Sequence, residues 1–310
     1  MNSAIRIGVS GWRYPPWRGE FYPDGLRQAD ELSYASEKLP TIELNGSFYS
    51  LQTPASYAAW YAATPSGFLF SVKGGRFITH MKRLKDIDKP LANFFASGLF
   101  NLKEKLGPIL WQFPPNMKFE VQRFVDFVGK LPHSTAAALA LARGRDARMI
   151  GRAALSIDAI RPVRHAIEIR NETFLDPTFI DLLRQHNIAL VVADTGERWP
   201  QPSDVTSDFV YLRLHGATEL YRSRYSDAEL RCWAYRVRTW CAGGQPNDVE
   251  RVMPEARVAP VPRDVFCYFD NTDKLHAPRN ARRLMQLLQV QWAPSRTVKP
   301  RDRANSRAIS

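Results

Sequence analysis

Apolar and polar residues alternate most cleanly over residues 209–215. Val210, Leu212 and Leu214 occupy one parity, while Tyr211, Arg213 and His215 occupy the other. Successive side chains on a strand point to opposite faces. The run is therefore a strand with one aliphatic face and one face carrying a ring, a guanidinium and an imidazole. The two cationic groups fall at its C-terminal end. A half-exposed surface strand would read the same way, but the pattern recurs along the chain. Strands are predicted at residues 5–11, 41–45, 68–73, 108–113, 165–171, 189–194, 209–215 and 265–271.

Helical patterns separate most of these strands. Thr53-Pro54 supplies an N-cap and a first-turn proline for a helix over 55–63. Residues 91–106 carry a helical period that ends at Gly107, and 119–131 place Phe124, Phe127, Val128 and Leu131 on one face. Asp176-Pro177 opens a helix through Gln185, and Ser226 with Glu229 forms a capping box before Leu230, Trp233, Val237 and Trp240. Ala281, Leu284, Leu287 and Leu288 line the last helix. Strands alternating with helices predict βαβ units and a parallel sheet. Eight of them fit a closed (β/α)8 TIM barrel in one domain over residues 1–294. An open doubly wound sheet is the alternative, but Gly8-Val-Ser-Gly11 after the first strand is not the glycine-rich phosphate turn such folds favour. Two connections read as irregular. Residues 195–208 leave little room for a helix, and 242–263, with Gly243-Gly244 and Pro246, Pro254, Pro260 and Pro262, read as an inserted loop.

Applied to every strand, the parity rule collects a polar set. Glu43, Asn45, Ser71, Lys73, Glu168, Arg170, Arg213, His215 and Asp270 take the face opposite their aliphatic neighbours. Gln112 and Asp194 fall at the ends of the fourth and sixth strands, with Asp194 on the face of Val192, and Asn271 follows Asp270. Each strand puts its polar residue late, and the C-terminal strand ends of a TIM barrel build its active site. Glu43, Glu168, Asp194 and His215 are the candidate acid–base residues. Lys73, Arg170, Arg213, Asn45, Gln112, Asp270 and Asn271 are the candidate substrate ligands. Trp12 and Tyr14 join them from an aromatic run after the first strand, as Phe48-Tyr49 and Trp199 follow the second and sixth.

Several chemistries compete for this set. Glu43, Glu168, Asp194, Asp270 and His215 are suitable metal ligands, but Lys73, Arg170 and Arg213 on the same face would repel a cation. A site for an anion needs neither metal nor cofactor. Guanidinium forks match phosphate and carboxylate, and His215 beside a carboxylate can move protons. Non-catalytic binding by the same clamp is a further reading, and an ion network that only fixes the barrel is the bland one.

Charge sharpens the picture. The 310 residues hold 43 Lys and Arg against 31 Asp and Glu, a net +12, which suits an anionic partner, either a small molecule or nucleic acid. Residues 295–310 concentrate Arg296, Lys299, Arg301, Arg303 and Arg307 without an apolar period and read as a disordered basic tail. Cys232, Cys241 and Cys267 have no metal or disulfide spacing. No apolar run reaches membrane-spanning length, and the first residues lack a signal-peptide core, so a cytoplasmic protein with no membrane partner is expected.

With these residues laid out, the chain resembles the YecE-like family of unknown function over about residues 5–289. The resemblance rests on Ile7-Gly-Val-Ser-Gly-Trp12, Glu43-Leu-Asn-Gly-Ser-Phe-Tyr49, Phe77-Ile-Thr-His80, Gly107-Pro-Ile-Leu-Trp-Gln-Phe-Pro-Pro115, Ala166-Ile-Glu-Ile-Arg-Asn171 and Tyr211-Leu-Arg-Leu-His-Gly216, in that order. It implies a TIM barrel and no established activity, and it would place Glu43, Glu168, Arg170, Arg213 and His215 in a shared pocket. The chain departs from the family pattern at Asp270-Asn271-Thr272, where an Asn-Asn pair is usual, and at Asp273-Lys-Leu-His276. The functional expectation is an enzyme of hydrolase or lyase type acting on a phosphate- or carboxylate-bearing substrate. A nucleic-acid-binding protein or phosphodiesterase and a non-catalytic anion-binding protein are the alternatives. Replacing Arg213 by alanine is expected to remove ligand binding and leave the fold intact.

Overall fold

The computed structural model describes residues 3–216, 224–271 and 276–294. Eight parallel strands close into a barrel in sequence order: β1 Ile5–Ser10, β2 Thr41–Leu44, β3 Leu69–Lys73, β4 Leu106–Gln112, β5 His165–Glu168, β6 Ala189–Asp194, β7 Phe209–Leu214 and β8 Asp264–Phe269. The barrel closes where β1 pairs with β8, from Ile5↔Val265 to Val9↔Phe269. A parallel crossover needs a long connection, and helices at Glu31–Lys38, Pro54–Ala63, Asp88–Ala96, Val121–Gly129, Pro177–Gln185 and Asp227–Cys241 supply most of them, with a last helix, His276–Leu288, following β8. The open-sheet alternative is thereby set aside.

Parity divides the interior into two apolar layers. Ile7, Val9, Ile42, Phe70, Val72, Ile167, Val192, Val210, Leu212, Val265 and Cys267 pack outward against the helices. Leu110, Ala166, Ala189, Val191, Ala193, Phe209, Tyr211, Phe266 and Tyr268 fill the lumen. Small alanines on β5 and β6 leave room for the large rings of β7 and β8, so volumes complement across the lumen. Above the apolar floor lies a hydroxyl layer. The Tyr268 hydroxyl meets Thr41 Oγ1 and Ser71 Oγ at 2.8 Å each, and the Tyr211 hydroxyl donates to Glu43 Oε2 at 2.7 Å. Gly8 is required by crowding, since a Cβ there would lie 2.0 Å from the Thr41 carbonyl oxygen.

Two details differ from the sequence reading. The period over 91–106 is broken, because the helix ends at Ala96 and Gly98 adopts φ +111°, leading into a tighter helical stretch and then β4 from Leu106. The apolar run continues across the kink because both segments are buried, Leu91 to Ala96 in the helix and Leu99, Phe100 and Leu102 beyond it. The second detail is that Asp88–Ala96 begins three residues earlier than the apolar run suggested. The connections 195–208 and 242–263 contain no helix or strand. The basic tail, 295–310, and residues 273–275 of the atypical segment lie outside the described residues. Among the described residues no helix is long and apolar enough to cross a membrane.

Candidate functional site

The C-terminal mouth of the barrel holds a buried ion cluster centred on Arg213, which is 1% exposed. Its Nε and Nη2 donate to Glu43 at 3.1 and 2.8 Å, its Nη1 to Glu168 Oε2 at 2.6 Å, and its Nη2 also to Asp270 Oδ2 at 2.9 Å. One guanidinium thus joins carboxylates from β2, β5 and the end of β8. These side chains meet because each occupies the lumen parity at the last turn of its strand.

Glu43 has both oxygens committed. Oε1 accepts from Ser10 Oγ at 2.6 Å as well as from Arg213, and Oε2 accepts from both Arg213 and Tyr211. Asn45 Nδ2 donates to Ser10 Oγ at 2.7 Å and extends the chain toward the mouth. Glu168 Oε1 accepts from Arg170 Nε at 2.8 Å. Burial pushes the Glu168 carboxyl upward, but Arg170, Arg213, His215 and Lys73 outweigh it and hold the group well below the usual carboxylate range. Asp270 is depressed likewise: burial opposes the charge, and Arg213 and His215 restore it. His215 is fully buried, with Nδ1 3.0 Å from Asp270 Oδ2 and Nε2 3.9 Å from Glu168 Oε1.

Above this cluster opens a cleft of about 710 Å³, lined by Tyr14, Asn45, Phe48, Lys73, Arg76, His80, Gln112, Arg170, Arg213 and Asp270 among others. Lys73 Nζ donates to Gln112 Oε1 at 2.7 Å and lies 4.4 Å from the Phe48 ring centre. Burial, with Arg213 nearby, lowers its pKa to about 8. Burial, Lys73, Arg170 and Arg76 lower His80 to about 4, so its ring is neutral at pH 7. A second cleft of about 780 Å³ adjoins on the far side of Arg170 and Trp199, lined also by Arg198, Trp233, Arg236, Asp248 and Glu250. It holds none of the buried cluster except Arg170, so the chemistry is concentrated in the cleft at the mouth.

Most of the sequence-predicted residues therefore converge, from β2 (Glu43, with Asn45 just beyond), β3 (Lys73), β4 (Gln112), β5 (Glu168, then Arg170), β7 (Arg213, then His215) and β8 (Asp270). Three do not stand as expected. Asp194 shares the outward parity of Val192, and its Oδ2 accepts from the Tyr225 hydroxyl at 2.9 Å, on the other side of the sheet from Glu168. Asn271 follows the outward parity of Phe269 and donates to Asn280 Oδ1 at 3.1 Å, tying β8 to its helix. Trp12 is 8% exposed and packs edge-on against Trp60 at 5.7 Å, so it seats the first loop on the barrel. Tyr14 does line the cleft, its hydroxyl donating to the Ser10 carbonyl at 2.7 Å.

Two basic cleft residues, Arg76 and His80, were outside the predicted ligand set. Arg76 caps a single π-helical turn, Phe77–Met81, after β3, and His80 lies within it. Strand parity could not find them, although Phe77-Ile-Thr-His80 was among the motifs that carried the resemblance. Among the described residues no three His, Cys, Asp or Glu side chains are grouped so as to hold a metal ion. The carboxylates of the cluster face guanidinium groups instead.

Comparison with known proteins agrees with the barrel fold. A crystal structure of a DUF72 family protein from Thermotoga maritima MSB8 superposes with a TM-score of 0.67 at 22% identity, covering 92% of this chain and 99% of that one. A DUF72 family protein from Enterococcus faecalis V583 gives 0.65 at 17%, covering 93% and 96%. At such identities the likeness concerns the fold. UPF0759 protein YunF of Bacillus subtilis (strain 168) is 30% identical over 116 residues, 36% of this chain and 40% of that protein, so less than half of the relative's length is matched. The model of the family described as "Protein of unknown function DUF72" matches residues 6–304, nearly the whole chain, and the chain belongs to that family.

Proposed function

We propose that the chain is a cytoplasmic, YecE-like member of this family and an enzyme of hydrolase or lyase type whose substrate carries a phosphate or carboxylate and binds in the cleft at the barrel mouth. One observation carries the reading. Of the described side chains lining that cleft, Lys73, Arg76, Arg170 and Arg213 are cationic, while Asp270 alone is acidic. Glu43 and Glu168, which would otherwise repel an anion, are spent on Arg213 below. Arg170 bonds Glu168 and stacks over Trp199 at 3.8 Å, so its planar fork is pre-oriented at the rim. In this reading Glu43 and Glu168 position Arg213, and Asp270 with His215 is the acid–base pair nearest the substrate.

The test is binding of inorganic phosphate and simple carboxylates by calorimetry, followed by an unbiased metabolite screen. A charge-assisted contact contributes about 1.5–3 kcal/mol, so Arg170→Ala and Arg76→Ala should each weaken binding about 10- to 100-fold. Anions that bind both variants as tightly as the native chain would remove the reading.

The net charge of +12 favours a second reading, nucleic-acid binding, with a phosphodiesterase as its catalytic form. Against it, two of the aromatics that stacking would use are already covered: Trp12 by Trp60 and Trp199 by Arg170. Binding confined to polynucleotides and steeply weakened by salt would favour this reading over the first.

A further inference from the structure

Lys73 differs from the other cations of the buried cluster. Among the described residues Arg213 bonds three carboxylates and Arg170 bonds Glu168. Among the described residues no carboxylate lies within 4.0 Å of the Lys73 amine. Its partners are the Gln112 carbonyl oxygen and the face of Phe48. The ring face still favours the ammonium, but such a contact contributes only about 0.5–2 kcal/mol. That is less than the several kcal/mol that desolvating an ion costs. Lys73 is the last residue of β3, lines the cleft and is 8% exposed as a residue, so it is largely dry yet borders the opening. A lysine that is desolvated and beside another cation is the arrangement that activates an amine as a nucleophile.

We propose that Lys73 condenses with the carbonyl group of an anionic substrate, either a 2-oxo acid or a phosphorylated ketone or aldehyde, to form an imine in the cleft. The proposal rests on the anion-site reading and deepens it by adding an electrophilic carbon. The neutral amine attacks the carbonyl carbon and forms the C–N bond, and the C=O π pair moves to oxygen. Oxygen takes one proton as nitrogen loses one, giving the carbinolamine. The hydroxyl then takes a second proton and leaves as water while the nitrogen lone pair forms C=N, and the iminium nitrogen gives up its remaining proton to restore the one consumed. Amine and carbonyl become imine and water, with no oxidant or reductant consumed. His80 lines the same cleft, neutral, with Nε2 3.5 Å from the Gln112 amide nitrogen whose oxygen holds Lys73. It is placed to carry these protons, while Arg76 and Arg170 receive the anionic group.

The experiment exposes the full chain to pyruvate, glyoxylate or dihydroxyacetone phosphate, reduces with sodium borohydride, and locates adducts by peptide mass spectrometry. Lys73 is expected to carry most of the label. Labelling should saturate with probe, and its rate should rise from pH 7 to pH 9 as the amine with a pKa of about 8 loses its proton. Acetone, which lacks the anion, should label poorly. Lys73→Arg should bind inorganic phosphate but give no adduct, and Lys73→Met provides a second unreactive variant. Label spread evenly over surface lysines, or none on Lys73 from any probe while phosphate still binds, overturns the imine and leaves Lys73 a point charge in an anion site. If neither phosphate nor any probe binds, the anion reading falls with it.

Discussion

Replacing Arg213 with methionine tests whether this residue is the hub of the barrel mouth. Methionine approximates the length of the side chain and removes its charge and its donors. Glu43, Glu168 and Asp270 would lose bonds of 2.6–3.1 Å while remaining buried. Removing one partner of a buried pair costs about 3–5 kcal/mol, mostly from the charge left behind. Roughly 0.65 kcal/mol/K of unfolding entropy for a chain this long turns that cost into a Tm drop of about 5–8 °C. The sequence-based expectation that Arg213→Ala leaves the fold intact therefore gives way to an expected loss of stability.

The pH dependence carries the more specific signature. In the native chain Glu168 and Asp270 have depressed pKa values, so they contribute stability above the unfolded-state values of roughly 4 and lose it as pH falls through the folded ones. In the variant the chief depressing charge on Asp270 is gone, and one of two neighbouring guanidiniums is lost to Glu168. The deficit relative to the native chain should be largest near pH 7 and shrink toward pH 4.5, as the stranded carboxylates take up protons. Thermal and urea unfolding of both proteins at the two pH values measures it. A variant within about 1 kcal/mol of the native chain at pH 7 would refute the reasoning, since a broken buried pair costs several times that. So would a deficit unchanged at pH 4.5.

Further outcomes follow from individual contacts. Gly8→Ala should cost about 1–3 kcal/mol or more, read by urea unfolding, because its Cβ would meet the Thr41 carbonyl oxygen at 2.0 Å and backbone has little room to retreat. Asp194→Asn should leave phosphate affinity within twofold, because its carboxylate faces Tyr225 outside the lumen; a larger change would return Asp194 to the site. Deleting residues 295–310 should abolish any salt-sensitive DNA retardation in a gel-shift assay if that affinity belongs to the arginine-rich segment alone, and should leave phosphate binding to the cleft unchanged.

Apolar runs between helical segments determined the eight strands, and alternation within most of them set the lumen and helix faces and the late polar positions from which Glu43, Lys73, Glu168, Arg213 and Asp270 project. A two-residue period is a local property, and a parallel barrel converts it directly into inside and outside. The same parity already set Asp194 beside Val192 and Asn271 beside Phe269; position at a strand end did not outweigh it. Only the tertiary structure decided which charge meets which. Arg213 and Glu43 lie 170 residues apart, and their pairing depends on barrel closure and stagger. Among the described residues closure also left Lys73 without a carboxylate within 4.0 Å, and a helical turn after β3 brought His80 to the cleft. Pair distances and desolvation fix the ionisation of a group, and neither can be read from the spacing of residues along a chain.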